Sequence, residues 1–188
     1  MSKKILLKLF KDLEAVKFGE FTLSSGKKSN MYVDARKVLL TADGLELVCD
    51  EFLDIICDLE VKSNDDILFD IDTVGGLETG ANVIVGGMLK TFCNYGFIWK
   101  KNIKNYGTKQ RFEGILNENS KIILVDDVAT SGSSFIQVIE GIKGLYPKAK
   151  INAAFVVVDR QEGAEELLKS YNIPLYSILT KQDLIDNQ

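Results

Sequence analysis

The chain has 188 residues, 46% hydrophobic and 27% charged, with a formal net charge of −4. This predicts one globular domain with a real core, and the acidic balance argues against duplex nucleic acid as the main partner. There is no histidine, which excludes Ser-His-Asp and Cys-His nucleophile systems, histidine metal ligands and the usual general base near neutral pH.

Ile5, Leu6, Leu9, Leu13 and Val16 recur at helical spacing and predict an amphipathic first helix. Lys8, Lys11, Asp12 and Glu14 interrupt that run, so it is not read as a signal peptide. No apolar run approaches the ~18 residues of a membrane span. Cys49, Cys57 and Cys93 form no CxxC pair, which fits packing residues in a reducing, cytoplasmic setting. Leu45, Val48, Phe52, Ile55, Ile56 and Leu59 share one face of a helix over 43–59.

Short apolar runs then alternate with helical patterns. Strands are expected at 67–71 (ILFDI), 97–99, 121–127, 151–159 and 174–179. Helices are expected at 79–91, 134–146 (stopped by Gly144 and Pro147) and 162–171. Such alternation implies an α/β fold, a mostly parallel sheet flanked by helices. Ligands of such sheets lie beyond the carboxyl ends of the strands, which singles out the loops after Asp72, Trp99, Asp127 and Asp159.

The stretch IILVDDVATSGSS (122–134) carries the most chemistry. A buried strand ends in Asp126 and Asp127, and Val128, Ala129, Thr130, Ser131, Gly132, Ser133 and Ser134 lead into a helix. Small residues let the backbone approach a ligand, and N–H groups at a helix start favour phosphate. Two carboxylates beside a phosphate must face something else, such as sugar hydroxyls or a cation. The residues therefore describe a ribose 5-phosphate cradle. GxxxxGK[ST] and an early GxGxxG are both missing, so neither a P-loop nor a dinucleotide site is expected.

This stretch resembles the phosphoribosyl-pyrophosphate (PRPP) motif of type I phosphoribosyltransferases. FTLSSGKKSNMYVDARK (21–37), VGGLETGA (74–81), WKKNIKNYGTKQRFEG (99–114) and VVDRQEGAEE (157–166) extend the resemblance, in order and spacing, to the family's orotate branch. It implies transfer of the phosphoribosyl group of PRPP to orotate, giving orotidine 5′-monophosphate and pyrophosphate, in pyrimidine (UMP) biosynthesis. It also implies Mg²⁺ held mainly through PRPP oxygens and water, and a homodimer. A single domain over 1–188 follows, with a helix and base-covering hood at 1–40 and a core at 41–188 carrying a mobile loop at 100–114. A phosphoribosyltransferase for another base, or a PRPP-sensing regulator without activity, is the alternative.

Roles follow from the same resemblance. Val74, Gly75, Gly76, Leu77, Glu78, Thr79 and Gly80 form the pyrophosphate loop. Lys100, Lys101, Lys104 and Tyr106 belong to the catalytic loop, which reaches the neighbouring subunit's site. Lys104, Lys100 and Asp127 are the catalytic candidates. Residues 126–134 bind PRPP, and Tyr32, Val33, Thr130 and Arg160 meet orotate. Lys100, Tyr106 and Ser24 depart from the Arg, His and Lys of well-known bacterial members, and Asn30-Met31 from the common Pro-aromatic pair.

Overall fold

The computed structural model describes residues 2–22, 28–63, 71–102 and 110–187. Helix α1 (Ser2–Asp12) buries Leu6 and Phe10, while Ile5 is 47% exposed. The apolar face is therefore centred on 6 and 10, and Val16 belongs to the next element. A two-stranded antiparallel hairpin follows, β1 (Val16–Thr22) and β2 (Lys28–Val33), which the sequence pattern did not predict. Its alternation is weak, and only Met31 of β2 is buried. Helices α2 (Arg36–Leu39) and α3 (Ala42–Ser63) then lead to the sheet. Val48, Phe52 and Ile56 on α3 are fully buried, as their spacing requires.

The main sheet contains β3 (Thr73–Leu77), β4 (Tyr95–Trp99), β5 (Phe112–Gly114), β6 (Lys121–Ala129), β7 (Lys150–Asp159) and β8 (Leu175–Thr180). Its spatial order is β5-β4-β3-β6-β7-β8. All neighbours are parallel except β4 and β5. Helix α4 (Ala81–Thr91) connects β3 to β4, α5 (Ser133–Leu145) connects β6 to β7, and α6 (Ala164–Lys169) connects β7 to β8; α7 (Lys181–Asp186) ends the described chain.

Successive strand residues face opposite sides. Ile123, Val125, Ala153, Phe155 and Val157 pack into one core with α1, α3 and α4. Ile122, Leu124, Ala154 and Val156 pack into a second core with α5 and α6. Both faces are covered, which is why β6 and β7 read as unbroken apolar runs.

One strand is displaced from its expected position. Residues 67–70 of the ILFDI strand lie outside the described residues, and the strand found is Thr73–Leu77. Val74, Gly75 and Gly76, expected in a loop, pair with β4, and Val74 and Gly75 also with β6. The reason is steric. A Cβ on Gly75 would run into the Phe97 ring, and one on Gly76 into the Val125 carbonyl. Glycine serves close strand packing here, and Asp72 opens the strand instead of closing it: its Oδ1 accepts from the Lys121 N–H at 2.9 Å.

Candidate functional site

The sheet order places the site. From β3 the chain winds outward to β4 and β5, then returns to the other side of β3 and winds to β7 and β8. The direction reverses between β3 and β6, and the crevice at such a reversal is where ligands bind in open α/β sheets. The carboxyl ends of these strands are Leu77–Gly80 and Asp126–Thr130. They meet in a cleft of about 680 Å³.

Asp126 and Asp127 form its floor. Asp126 is only 7% exposed. The Ser134 hydroxyl donates to its Oδ2 at 2.8 Å, and the Asp127 N–H to its Oδ1 at 3.0 Å. The Val128 N–H donates to Asp127 Oδ1 at 2.8 Å. Burial, and next the charge of Asp127, push the Asp126 carboxyl up to about 7, against the pull of the Ser134 and Asp127 hydrogen bonds. The chain thus holds two carboxylates that resist being charged together, an arrangement suited to hydroxyls or a cation.

The turn after β3 lies directly on this pair. Gly80 has an ordinary helical backbone, but a Cβ there would overlap Asp126 Oδ1 and Asp127 Oδ1. Only glycine lets the turn approach so closely. On the other side Gly132 precedes α5 at φ +78°, and no side chain caps that helix. The first N–H groups of a thirteen-residue helix are thereby left to a ligand or water, with the dipole favouring an anion. Thr130, Ser133 and Ser134 line the cleft at this end.

The hairpin and the end of β7 close the opposite wall. Tyr32 and Val33 line the cleft with Arg160. Arg160 is 3% exposed, donates through Nη2 to the Ser29 hydroxyl at 2.6 Å, and pairs with Glu162 at 2.8 Å. Its buried Nε has no hydrogen-bond partner among the described residues. Arg160 as a residue lines the cleft, while its unpaired Nε is buried behind that surface.

Of the residues expected from sequence, Tyr32, Val33, Leu77, Glu78, Thr79, Gly80, Lys101, Asp126, Asp127, Val128, Thr130, Ser133, Ser134 and Arg160 line this one cleft. Others do not. Val74, Gly75 and Gly76 are buried within β3, and Ala129 is buried in the second core. Ser131 and Gly132, in the turn before α5, are not part of the lining. The Lys100 ammonium turns to Glu113 at 2.8 Å because β4 and β5 bring the two together at the sheet edge. Ser24, Lys104 and Tyr106 lie outside the described residues. Four cleft residues were not foreseen: Asp34, Arg36, Asn102 and Gln137. Arg36 Nε donates to Asp34 Oδ1 at 2.8 Å, and this bond, with smaller help from Asp127, raises the guanidinium pKa. Gln137 was legible in principle, since it lies one helical turn beyond Ser133 and Ser134.

Among the described residues no group of three or more Cys, Asp or Glu side chains could hold a metal ion, and no helix is long and apolar enough to cross a membrane. A smaller cavity of about 260 Å³ between α1, β1 and α7 is lined mainly by apolar residues, among them Leu7, Phe10, Phe18 and Leu184.

Residues 48–174 match the Phosphoribosyl transferase domain family. The chain is 35% identical to an orotate phosphoribosyltransferase of Methanocaldococcus jannaschii, over 99% of this chain and 98% of that one. A crystal structure of orotate phosphoribosyltransferase from Aeropyrum pernix superposes with a TM-score of 0.70 at 28% identity, covering 96% of each chain. The Mycobacterium tuberculosis enzyme in complex with PRPP shares the fold, with a TM-score of 0.73 at 23% identity, covering 98% of this chain and 99% of that one.

Proposed function

We propose a division of labour in the cleft on one premise: the chain belongs to the orotate phosphoribosyltransferase family. It is a pentosyltransferase that joins orotate to the phosphoribosyl group of PRPP. The bond from the sugar carbon to diphosphate breaks, a bond to the orotate nitrogen forms, and pyrophosphate leaves. The sugar carbon is electron-poor in between, so catalysis consists of holding two anions together, stabilising the departing charge and aligning the nitrogen. None of these tasks needs a histidine.

The ribose hydroxyls face Asp126 and Asp127, where a neutral donor satisfies carboxylates that repel each other. The 5-phosphate takes the N–H groups of residues 130–134 at the start of α5. The diphosphate lies along the main chain of Leu77–Gly80, with the Lys101 ammonium nearby. Orotate lies between the Tyr32–Val33 backbone and Arg160, whose guanidinium suits a planar carboxylate. Lys104 and Tyr106 join from the catalytic loop. Lys100 reaches the site only by leaving Glu113.

Magnesium would be held mainly through PRPP oxygens and water. The cleft offers carboxylate and hydroxyl oxygens, which hard cations accept, but no full cage, so most ligands come from substrate and water. When bound, the cation neutralises charge on the departing diphosphate. The working unit is a homodimer in the cytoplasm, its catalytic loops shared between subunits. Leu89, Tyr95 and Ile115 are exposed together around the amino-terminal end of β4, and an apolar contact there supports a dimer.

The observation that carries this reading is the meeting, in one cleft at the strand-order reversal, of the acid pair, an uncapped helix start and a buried arginine. The test supplies purified protein with PRPP, Mg²⁺ and orotate, uracil, hypoxanthine or adenine in turn. Loss of orotate absorbance only when PRPP and Mg²⁺ are both present is expected. Turnover of a purine but not orotate, or PRPP binding with no turnover, would refute it.

A further inference from the structure

Glu78 poses a problem for an anion site. Its half-buried side chain lines the same cleft as the helix start and Lys101, where a carboxylate repels a diphosphate. Its geometry gives it another task. Glu78 Oε1 accepts the Lys101 backbone N–H at 2.8 Å. Gln137 Nε2, from α5, donates to the Lys101 carbonyl at 3.3 Å. The Glu78 N–H donates to the Trp99 carbonyl at 2.9 Å, and the Lys100 N–H to the Arg111 carbonyl at 3.0 Å. Both polar groups of the Lys101 main chain are thus held by side chains from elements on either side of the switch point.

We propose that Glu78 and Gln137 are positioning residues that clasp the Lys101 main chain and fix the lysine-rich segment against the cleft. This rests on the reading of the cleft as a phosphoribosyl transfer site. The carboxylate serves as a hydrogen-bond acceptor for the chain, not as a ligand of diphosphate or metal. Without the clasp the protein still binds PRPP through α5 and the Asp pair, but the Lys101 ammonium meets the diphosphate less often.

The distinguishing comparison is Glu78→Gln against Glu78→Ala, because Gln keeps an acceptor oxygen and loses the charge. Amide hydrogen exchange at Lys101 reads the clasp without reference to any reaction. It should quicken at least ~10-fold in Glu78→Ala and stay within ~3-fold of wild type in Glu78→Gln, the loss expected for a bond to a charged acceptor. In turnover, Glu78→Ala and Gln137→Ala should each lower kcat by ~10-fold, with KM for PRPP within ~3-fold and the double variant well short of the product. Unchanged Lys101 exchange in Glu78→Ala overturns the clasp. So does Glu78→Gln as damaging as Glu78→Ala, which assigns the charge itself, or a loss confined to KM. The exchange result stands whichever base the wild-type protein accepts, so failure of the orotate reading and failure of the clasp are separate outcomes.

Discussion

Replacing Gly80 by alanine adds one methyl group where two carboxylates already stand. The backbone at Gly80 is ordinary right-handed helix, φ −57° and ψ −43°, so alanine is conformationally acceptable and the effect is one of contact alone. The added Cβ overlaps Asp126 Oδ1 and Asp127 Oδ1, and lies 2.8 Å from Asp127 Cγ. Those two oxygens are not free to swing away, because they accept the Asp127 and Val128 N–H groups. Hydrogen bonds to charged acceptors are worth ~1.5 kcal/mol or more each, so moving both costs about 3 kcal/mol. That corresponds to a Tm lower by ~6–12 °C for a chain of this length. If the turn retreats instead, the diphosphate loop and acid pair separate, and the same ~3 kcal/mol appears as a rise of up to ~100-fold in KM for PRPP. Thermal melts and PRPP titrations of Gly80→Ala measure both routes. Gly86→Ala is the control: its Cβ meets nothing within 4 Å, and alanine within α4 should gain ~0.5–1 kcal/mol. A Gly80→Ala protein with a Tm within ~2 °C of wild type and a KM for PRPP within ~2-fold would refute this account of the turn.

Other expectations follow from the same geometry. The folded chain holds the Asp126 proton up to about 7, against an ordinary 3.8, so this carboxyl favours folding fully below 3.8 and loses that contribution as pH climbs through about 7. Asp126→Asn removes the titration, so the Tm of the variant relative to wild type should rise across that window and level off above it; a constant difference contradicts the assignment. Arg160→Lys keeps the charge but cannot span Ser29, Glu162 and a ligand together, so KM for orotate should rise ~10–100-fold, with little change for PRPP, in steady-state assays. Lys104→Ala should lower kcat by ~100-fold or more while PRPP affinity by titration changes little; equal losses in affinity and kcat/KM with kcat unchanged count against a transition-state role.

Much of this arrangement is written locally in the chain. The run Ile122–Val125, the Asp pair and the small residues after it announce a buried strand, an acidic end and an open helix start, and each depends only on neighbours in sequence. What could not be read depends on partners far away. The Gly75-Gly76 pair reads as a turn until Phe97 and the Val125 carbonyl occupy the Cβ positions. The Lys100–Glu113 ion pair is invisible until the β4–β5 pairing brings the two together. Glu78 and Gln137 are unremarkable polar residues until the sheet order brings both to Lys101. The hairpin at 16–33 lacks a strong period-two pattern because much of it faces solvent.

The pairing of β3 with β6 also governs how the protein acquires its activity in time. Asp72 and Lys121, joined by a hydrogen bond, are 49 residues apart, and β4, α4 and β5 lie between the two strands in sequence. Closing so long a stretch carries a large loop entropy before any contact rewards it, which makes such parallel pairings slow. The cleft lacks its Leu77–Gly80 wall until that closure happens, since that wall follows β3 and the floor ends β6. Helices α4 and α5 can form earlier without creating a binding site. Formation of the PRPP site during refolding should therefore wait for the insertion of β3 beside β6 and trail the recovery of helical signal.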